Sequence, residues 1–286
     1  MCWSAIAVLT LWGTLGDSDA RAQNIPILIN EINLNSENDA PSGSDDTTEY
    51  IEIRSLGGAV SLDGLTFLVI EGDGGSQGTI DKALSLDGFS TGSNGLFLWR
   101  DSADVLLPAP DAATVIKVED FSPDLENGSA TFAIVRGFTG TEGDDLDTDD
   151  DSTIDSPGSL PWSEVLDAVG VRDSGSSDGT YAGQLLSGAT DFPNVSYAAD
   201  TLVRLTNNLA WIAVDIDEGA SGFPGPYPFD DSQAEFSDGT PFTPSTALDF
   251  NIRTPGNHNP SLIPEPVSSI LLGLAVGLGA FRRRRD

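Results

Sequence analysis

The densest run of chemistry-bearing side chains lies between Asp144 and Asp155, where twelve residues carry seven aspartates and no basic residue. Counted from Asp147, carboxylates recur at Asp149, Asp151 and Asp155, with the Thr153 carbonyl between the last two. Oxygen donors at alternate positions of a flexible loop suit calcium, which tolerates irregular oxygen geometry, better than magnesium. The competing reading is a solvated acidic loop held extended by its own repulsion. Elsewhere the chemistry thins out. His258 is the only histidine and Cys2 the only cysteine, so a zinc site, which needs several such ligands, has too few. His258 sits in the turn-rich stretch Gly256–Pro260 and reads as a solvated linker residue rather than a catalytic base. Gly72–Gly78 lacks the Gly-Lys-Ser/Thr ending of a phosphate loop and reads as a hairpin turn. A glycosidase needs only two carboxylates, but among 45 acidic residues the sequence singles out no pair. The expectation is a protein without catalysis.

The same acidic run resembles the calcium loop of EF-hand and dockerin-type modules. In that register Ser152 stands where the turn glycine belongs, and Gly158 where a bidentate acid belongs. The resemblance implies calcium as the cofactor, with Asp147, Asp149, Asp151, Thr153 and Asp155 as ligands. Net charge bears on partners. Lys and Arg number 13 against 45 Asp and Glu, giving -32. Phosphate recognition needs clustered Lys and Arg, so no nucleic-acid partner is expected.

Both ends read as addresses rather than as fold. Residues 1–22 resemble an export signal: an apolar run from Ala5 to Leu15, then the small-residue site Ala20-Arg21-Ala22, although no Lys or Arg precedes the run. Its removal takes away the single cysteine. At the other end, Pro264-Glu265-Pro266 is followed by an apolar run over 267–281 and then by Arg282, Arg283, Arg284 and Arg285. This resembles the PEP-CTERM sorting signal of Gram-negative bacteria, here taken as residues 261–286. A helix of that length spans about 22 Å at 1.5 Å per residue, short of a hydrocarbon core of roughly 30 Å. The arginines would hold its end in the cytoplasm. The resemblance implies a transient membrane anchor, processing by an exosortase-type enzyme, and delivery to the cell surface or extracellular matrix.

The elements between the ends must position whatever chemistry there is. Strands are expected at Ile27–Ile32, Tyr50–Arg54, Leu65–Ile70, Leu96–Trp99, Val115–Val118, Thr131–Val135, Val165–Val171, Leu202–Leu205 and Trp211–Val214, separated by Gly, Asn and Asp turns. In Tyr50–Arg54 the alternation puts Ile51 and Ile53 on one face, Glu52 and Arg54 on the other. No long stretch keeps a helical period, and no parallel βαβ alternation is visible. Many short strands with frequent turns indicate an all-β sandwich or barrel.

Several of these pieces, in order, resemble the lamin tail domain, an immunoglobulin-like sandwich. They are Ile29-Asn30-Glu31-Ile32, Glu49–Ile53, Leu62–Phe67, Asn127-Gly128 before Ala130–Val135, Val165–Val169 and the closing Thr254-Pro255-Gly256-Asn257. The resemblance implies one immunoglobulin-like β-sandwich over residues 23–260 with two long loop insertions, 137–162 and 215–246. It also implies a scaffold or interaction role. The expected function is therefore an exported, non-catalytic surface or matrix protein. A carbohydrate-binding module working in extracellular polysaccharide is the first alternative, and a carboxylate-dependent extracellular hydrolase the second.

Overall fold

The computed structural model describes residues 26–34, 49–101, 108–125, 128–173, 177–192, 195, 197–215, 234–242 and 253–261. The export segment 1–22, most of the 215–246 insertion, Pro264-Glu265-Pro266, the apolar run 267–281 and Arg282–Arg285 lie outside the described residues. Among the described residues no helix is long and apolar enough to cross a membrane.

The described residues are almost wholly β, with twelve strands, one single-turn α-helix and one short 3-10 turn at Gly74–Ser76. The strands are β1 (Ile27–Asn33), β2 (Tyr50–Ser55), β3 (Leu65–Glu71), β4 (Ile80–Ser85), β5 (Leu96–Arg100), β6 (Val115–Val118), β7 (Ala130–Arg136), β8 (Glu164–Val171), β9 (Thr190–Phe192), β10 (Thr201–Arg204), β11 (Trp211–Val214) and β12 (Ala234–Phe236), with α1 at Ala182–Leu185. They form a seven-stranded sheet, β12-β11-β10-β1-β2-β5-β6, and a five-stranded sheet, β4-β3-β7-β8-β9. Most pairs are antiparallel, but β5–β6 and β8–β9 are parallel, which the sequence had not suggested. β12 lies inside the stretch read as a Pro/Gly-rich insertion and extends the larger sheet beside β11.

One core serves both sheets. Ile29, Ile32, Ile51, Ile53, Phe97 and Trp99 from the larger sheet meet Phe67, Val69, Phe132, Ile134 and Val169 from the smaller. β3 is continuously apolar from Phe67 to Ile70 because both its faces are covered there. Phe67 and Val69 face this shared core, while Leu68 and Ile70 join a second cluster on the outer face with Leu146, Ile154 and Tyr181. Period-two alternation explains that split. β4 was missed because Lys82 sits where an apolar residue is expected; it is 3% exposed.

β1 departs from plain alternation. Its core residues Ile27, Ile29 and Ile32 change spacing from two to three where the pairing with β2 shifts, between Ile29 and Glu31. Such a bulge sets two residues of one strand against one of the other. Asn30, Glu31 and Glu52 thereby meet on the outer face. That face was expected to be the solvated side of β2, yet Glu52 is fully buried. Residues 253–259 cover it. Thr254 donates to Glu31 from both its N–H and its hydroxyl, at 2.9 Å each, and Gly256 N–H donates to Glu52. Asn259 donates to the carbonyls of Asn30 and Arg204 at 2.8 and 2.9 Å. The stretch read as a turn-rich linker is a strap bonded to the sheet, and within it only the His258 side chain is exposed.

Candidate functional site

The acidic insertion joins β7 to β8, two antiparallel neighbours, and is seated rather than loose. Leu146 and Ile154 are buried against the outer face of the five-stranded sheet. They bracket the aspartates like two rivets, and Asp155 N–H donates to the Leu146 carbonyl at 2.9 Å between them. Bonds from Ile80 N–H to the Asp144 carbonyl and from Leu146 N–H to the Gly78 carbonyl tie the loop to the edge strand β4. The Gly72–Gly78 turn that connects β3 to β4, the expected hairpin, is thus a neighbour of the acidic loop.

Between the rivets, Asp147 points inward and is fully buried. Its Oδ2 accepts from the Tyr181 hydroxyl at 2.8 Å and its Oδ1 from Asp151 N–H at 3.1 Å. Asp149 and Asp151 are exposed, and one carboxylate oxygen from each of Asp147, Asp149 and Asp151 lies within 4.8 Å of the others. Repulsion, from Asp151 foremost, raises the Asp149 carboxyl. Asp150 and Ser152 both take left-handed backbone conformations, φ 52° and 63°. The sharp turn that a glycine was expected to supply is therefore made at Ser152 itself, whose hydroxyl donates to Gln77 Oε1 at 2.7 Å.

The remaining expected ligands stand apart from this trio. Asp155 accepts from the Thr148 hydroxyl at 2.6 Å and from its N–H at 2.9 Å, which hold its carboxyl below the usual range. It is near enough to add to the repulsion on Asp149. Thr153 is exposed, as is Gly158 at the position where a twelfth-place acid would sit.

A second trio had no signal in linear spacing. Asp73, Asp173 and Asp178 also bring carboxylate oxygens within 4.8 Å of one another. Strand register assembles them. Glu71 pairs with Ala130 and Ala130 with Val171, so residues just past those ends converge. Ser129 is the hub. Its N–H donates to Asp73 at 3.1 Å, and its hydroxyl reaches Asp178 at 3.0 Å and Asp173 at 3.3 Å. An open cleft of about 590 Å³ runs between the two trios. Asp151 and Ser152 line it on one side and Asp178 on the other, with Gln77 and Arg172 between.

Conventional catalytic arrangements are not assembled among the described residues. Gly88-Phe89-Ser90-Thr91-Gly92 has the spacing of a nucleophile elbow, which needs a strand-to-helix turn. Here it links β4 to β5 and Ser90 bridges Ser61. Two carboxyl pairs do form across strands, Glu31 with Glu52 and Glu49 with Asp101, but all four residues are buried. Burial raises Glu31 to about 7 and Glu52 well above the ordinary range.

No family model matches the chain, and no curated protein matches it. Among solved structures it is similar to the crystal structure of a DUF4876 family protein from Bacteroides thetaiotaomicron, at 16% identity and a TM-score of 0.37. The alignment covers 73% of this chain and 70% of that one.

Proposed function

We propose that this protein is an exported, non-catalytic interaction protein of the cell surface or extracellular matrix of a Gram-negative-type bacterium. In this reading the body is an immunoglobulin-like sandwich of the lamin-tail kind. Pro264-Glu265-Pro266, the apolar run and Arg282–Arg285 form a PEP-CTERM signal, a transient inner-membrane anchor handled by an exosortase-type enzyme. The partners are extracellular polysaccharide or surface proteins, and not nucleic acid.

The observation that carries the reading is where the carboxylates sit. The cross-strand pairs are buried beyond the reach of a substrate, whereas the exposed acids Asp149 and Asp151 stand on a seated loop, and Asp151 lines a cleft. That arrangement suits cation-dependent adhesion. Asp147, Asp149 and Asp151 fit calcium: three carboxylates at coordinating separation, a left-handed turn at Ser152, and repulsion that a cation relieves. Thr153 and Asp155, which stand apart from the trio, would have to move towards the ion to complete the shell. Calcium would supply fixed positive charge on the Asp151 side of a cleft that Arg172 also lines, and it would lock the loop. With no acid at Gly158, affinity falls in the weak extracellular range of about 10⁻⁴ to 10⁻³ M.

Melting with 10 mM calcium, tenfold above a Kd of about 10⁻³ M at the weak end of that range, against chelator tests this. The expected gain is about 1.4 kcal/mol, lost in Asp149→Asn. An unchanged melting temperature with no calorimetric binding signal removes calcium from the reading. Pull-down of surface polysaccharide and protein fractions then separates the ligands. The carbohydrate alternative is the weaker of the two, because among the described residues no large aromatic side chain is exposed to form a stacking platform.

A further inference from the structure

At one end of the seven-stranded sheet Glu49 and Asp101 lie directly across from each other. Tyr50 pairs with Arg100, and Asp101 N–H donates to the Glu49 carbonyl at 3.1 Å, so these two are the next cross-strand pair. Side chains so placed have Cβ atoms about 5 Å apart. They are 2% and 6% exposed. A short segment closes over them. Phe121 N–H donates to Asp101 Oδ1 and Leu125 N–H to Glu49 Oε2, both at 2.8 Å. Each carboxyl therefore has one oxygen held by the segment's backbone. Asp101 Oδ2 is buried with no N–H or hydroxyl donor directed at it, and Glu49 is the group beside it.

The other charged groups facing the pair are few. Lys82 reaches across from β4, and its ammonium donates to the Pro123 carbonyl in the middle of the segment. Asp120 and Asp124, on the segment itself, add negative charge. Among the described residues one cation faces four carboxyl groups, so two ionised carboxylates at the buried pair would be opposed by burial and by their neighbours alike.

We infer that Glu49 and Asp101 share one proton between their free oxygens, and that this proton is the catch holding residues 119–125 on the sheet. The shared proton turns a repelling pair into a charge-assisted O–H···O⁻ hydrogen bond, the strong kind. It also gives Asp101 Oδ2 the donor it otherwise lacks. Burial pushes Glu49 up to about 9 and Asp101 up to about 7, and such a pair titrates as a unit rather than as two independent acids.

When the proton leaves, two buried like charges remain. The β2–β5 ladder cannot part easily, so the segment is the element that gives. Phe121 then leaves Trp99, on which it stacks at 5.8 Å and 22°, and the indole N–H loses the Glu119 carbonyl at 2.9 Å. The outcome is an alkaline-triggered opening that bares Trp99, Phe121 and Leu125 at one end of the molecule.

Tryptophan emission of the full chain, followed from about pH 6 to about pH 10, tests this together with the infrared carbonyl stretch of protonated carboxyl groups. The expected result is a red shift with one midpoint between about 7 and about 9, absent from Trp99→Phe, Glu49→Gln and Asp101→Asn. Part of the protonated-carboxyl band present at neutral pH should vanish over the same transition, the remainder belonging to buried Glu31 and Glu52. The infrared measurement needs no variant, so the test survives if a substituted chain fails to fold. A neutral-pH spectrum with no such band, or an emission transition that Glu49→Gln retains, overturns the inference.

Discussion

Replacing Tyr181 by Phe removes the hydroxyl that donates to the buried Asp147 carboxylate. The Asp151 N–H is then its remaining side-chain-directed donor, so the change should cost about 1–3 kcal/mol, the usual penalty for an under-satisfied buried polar group. Urea unfolding measures it, and a midpoint equal to the unmodified protein's would mean that the Tyr181 bond adds nothing to stability. The same logic applies at Asp167, which accepts from Ile29 N–H at 2.7 Å and from Arg204 at 2.6 Å, joining the two sheets. Burial still raises its carboxyl despite the guanidinium. Removing only Arg204, as in Arg204→Met, should cost about 3–5 kcal/mol in the same assay, because it strands a buried charge. At this scale the sequence was informative about residue type and mute about surroundings. Asp147, Asp149 and Asp151 were found by spacing because they are close in the chain. Asp73 and Asp178 were not, since only the register of β3, β7 and β8 brings them together.

Two elements behave differently from their sequence appearance, the acidic loop and the strap. Leu146 and Ile154 are single apolar residues in a run of aspartates, too sparse to show a period, yet they decide whether the loop is seated. The strap carries Gly256 with φ 71°, a left-handed conformation, and a Cβ there would fall 2.4 Å from the Pro110 side chain. Gly256→Ala combines backbone strain of about 1–2 kcal/mol with that clash. It should lift the strap from Glu31 and Glu52, reducing stability by at least that amount and raising hydrogen exchange at Thr254 and Gly256. Full exchange protection in the variant would count against the strap as the cover of that face. Most strands were legible because alternation or a continuous apolar run survives in the sequence. β12 is short and only partly apolar, and β4 carries Lys82 into the core, so neither has the pattern. The β1 bulge was legible in the three-residue gap between Ile29 and Ile32, once a period of two is required of the rest.

Across the whole molecule, five buried carboxyls shift in the same sense. Glu31, Glu49, Glu52, Asp101 and Asp167 are all raised, burial being the largest cause in each. A carboxyl that holds its proton more tightly folded than unfolded adds stability below its unfolded value, and that stability is lost as pH rises through the folded value. The window runs from ordinary carboxyl values near 4.5 to about 7 for Glu31 and Asp101 and about 9 for Glu49. Repulsion within a chain of net charge -32 acts in the same direction. The urea midpoint should therefore fall steadily between about pH 5 and about pH 9. A midpoint that is flat or rising over that span would show that these groups are ionised in the native state.

The strap also sets an order of events. Thr254 bonds Glu31 across 223 positions of sequence, so β1 waits for a segment far downstream before its outer face is closed. Until then Glu31 and Glu52 face water, where their ordinary ionisation is comfortable, and the chain can remain open without exposing an apolar surface there. Contacts this distant in sequence form slowly because a large loop must close first. Closure of the sheet's outer face is thereby deferred until residues 253–259 are in place, and the sheet's apolar core can form before that face is covered.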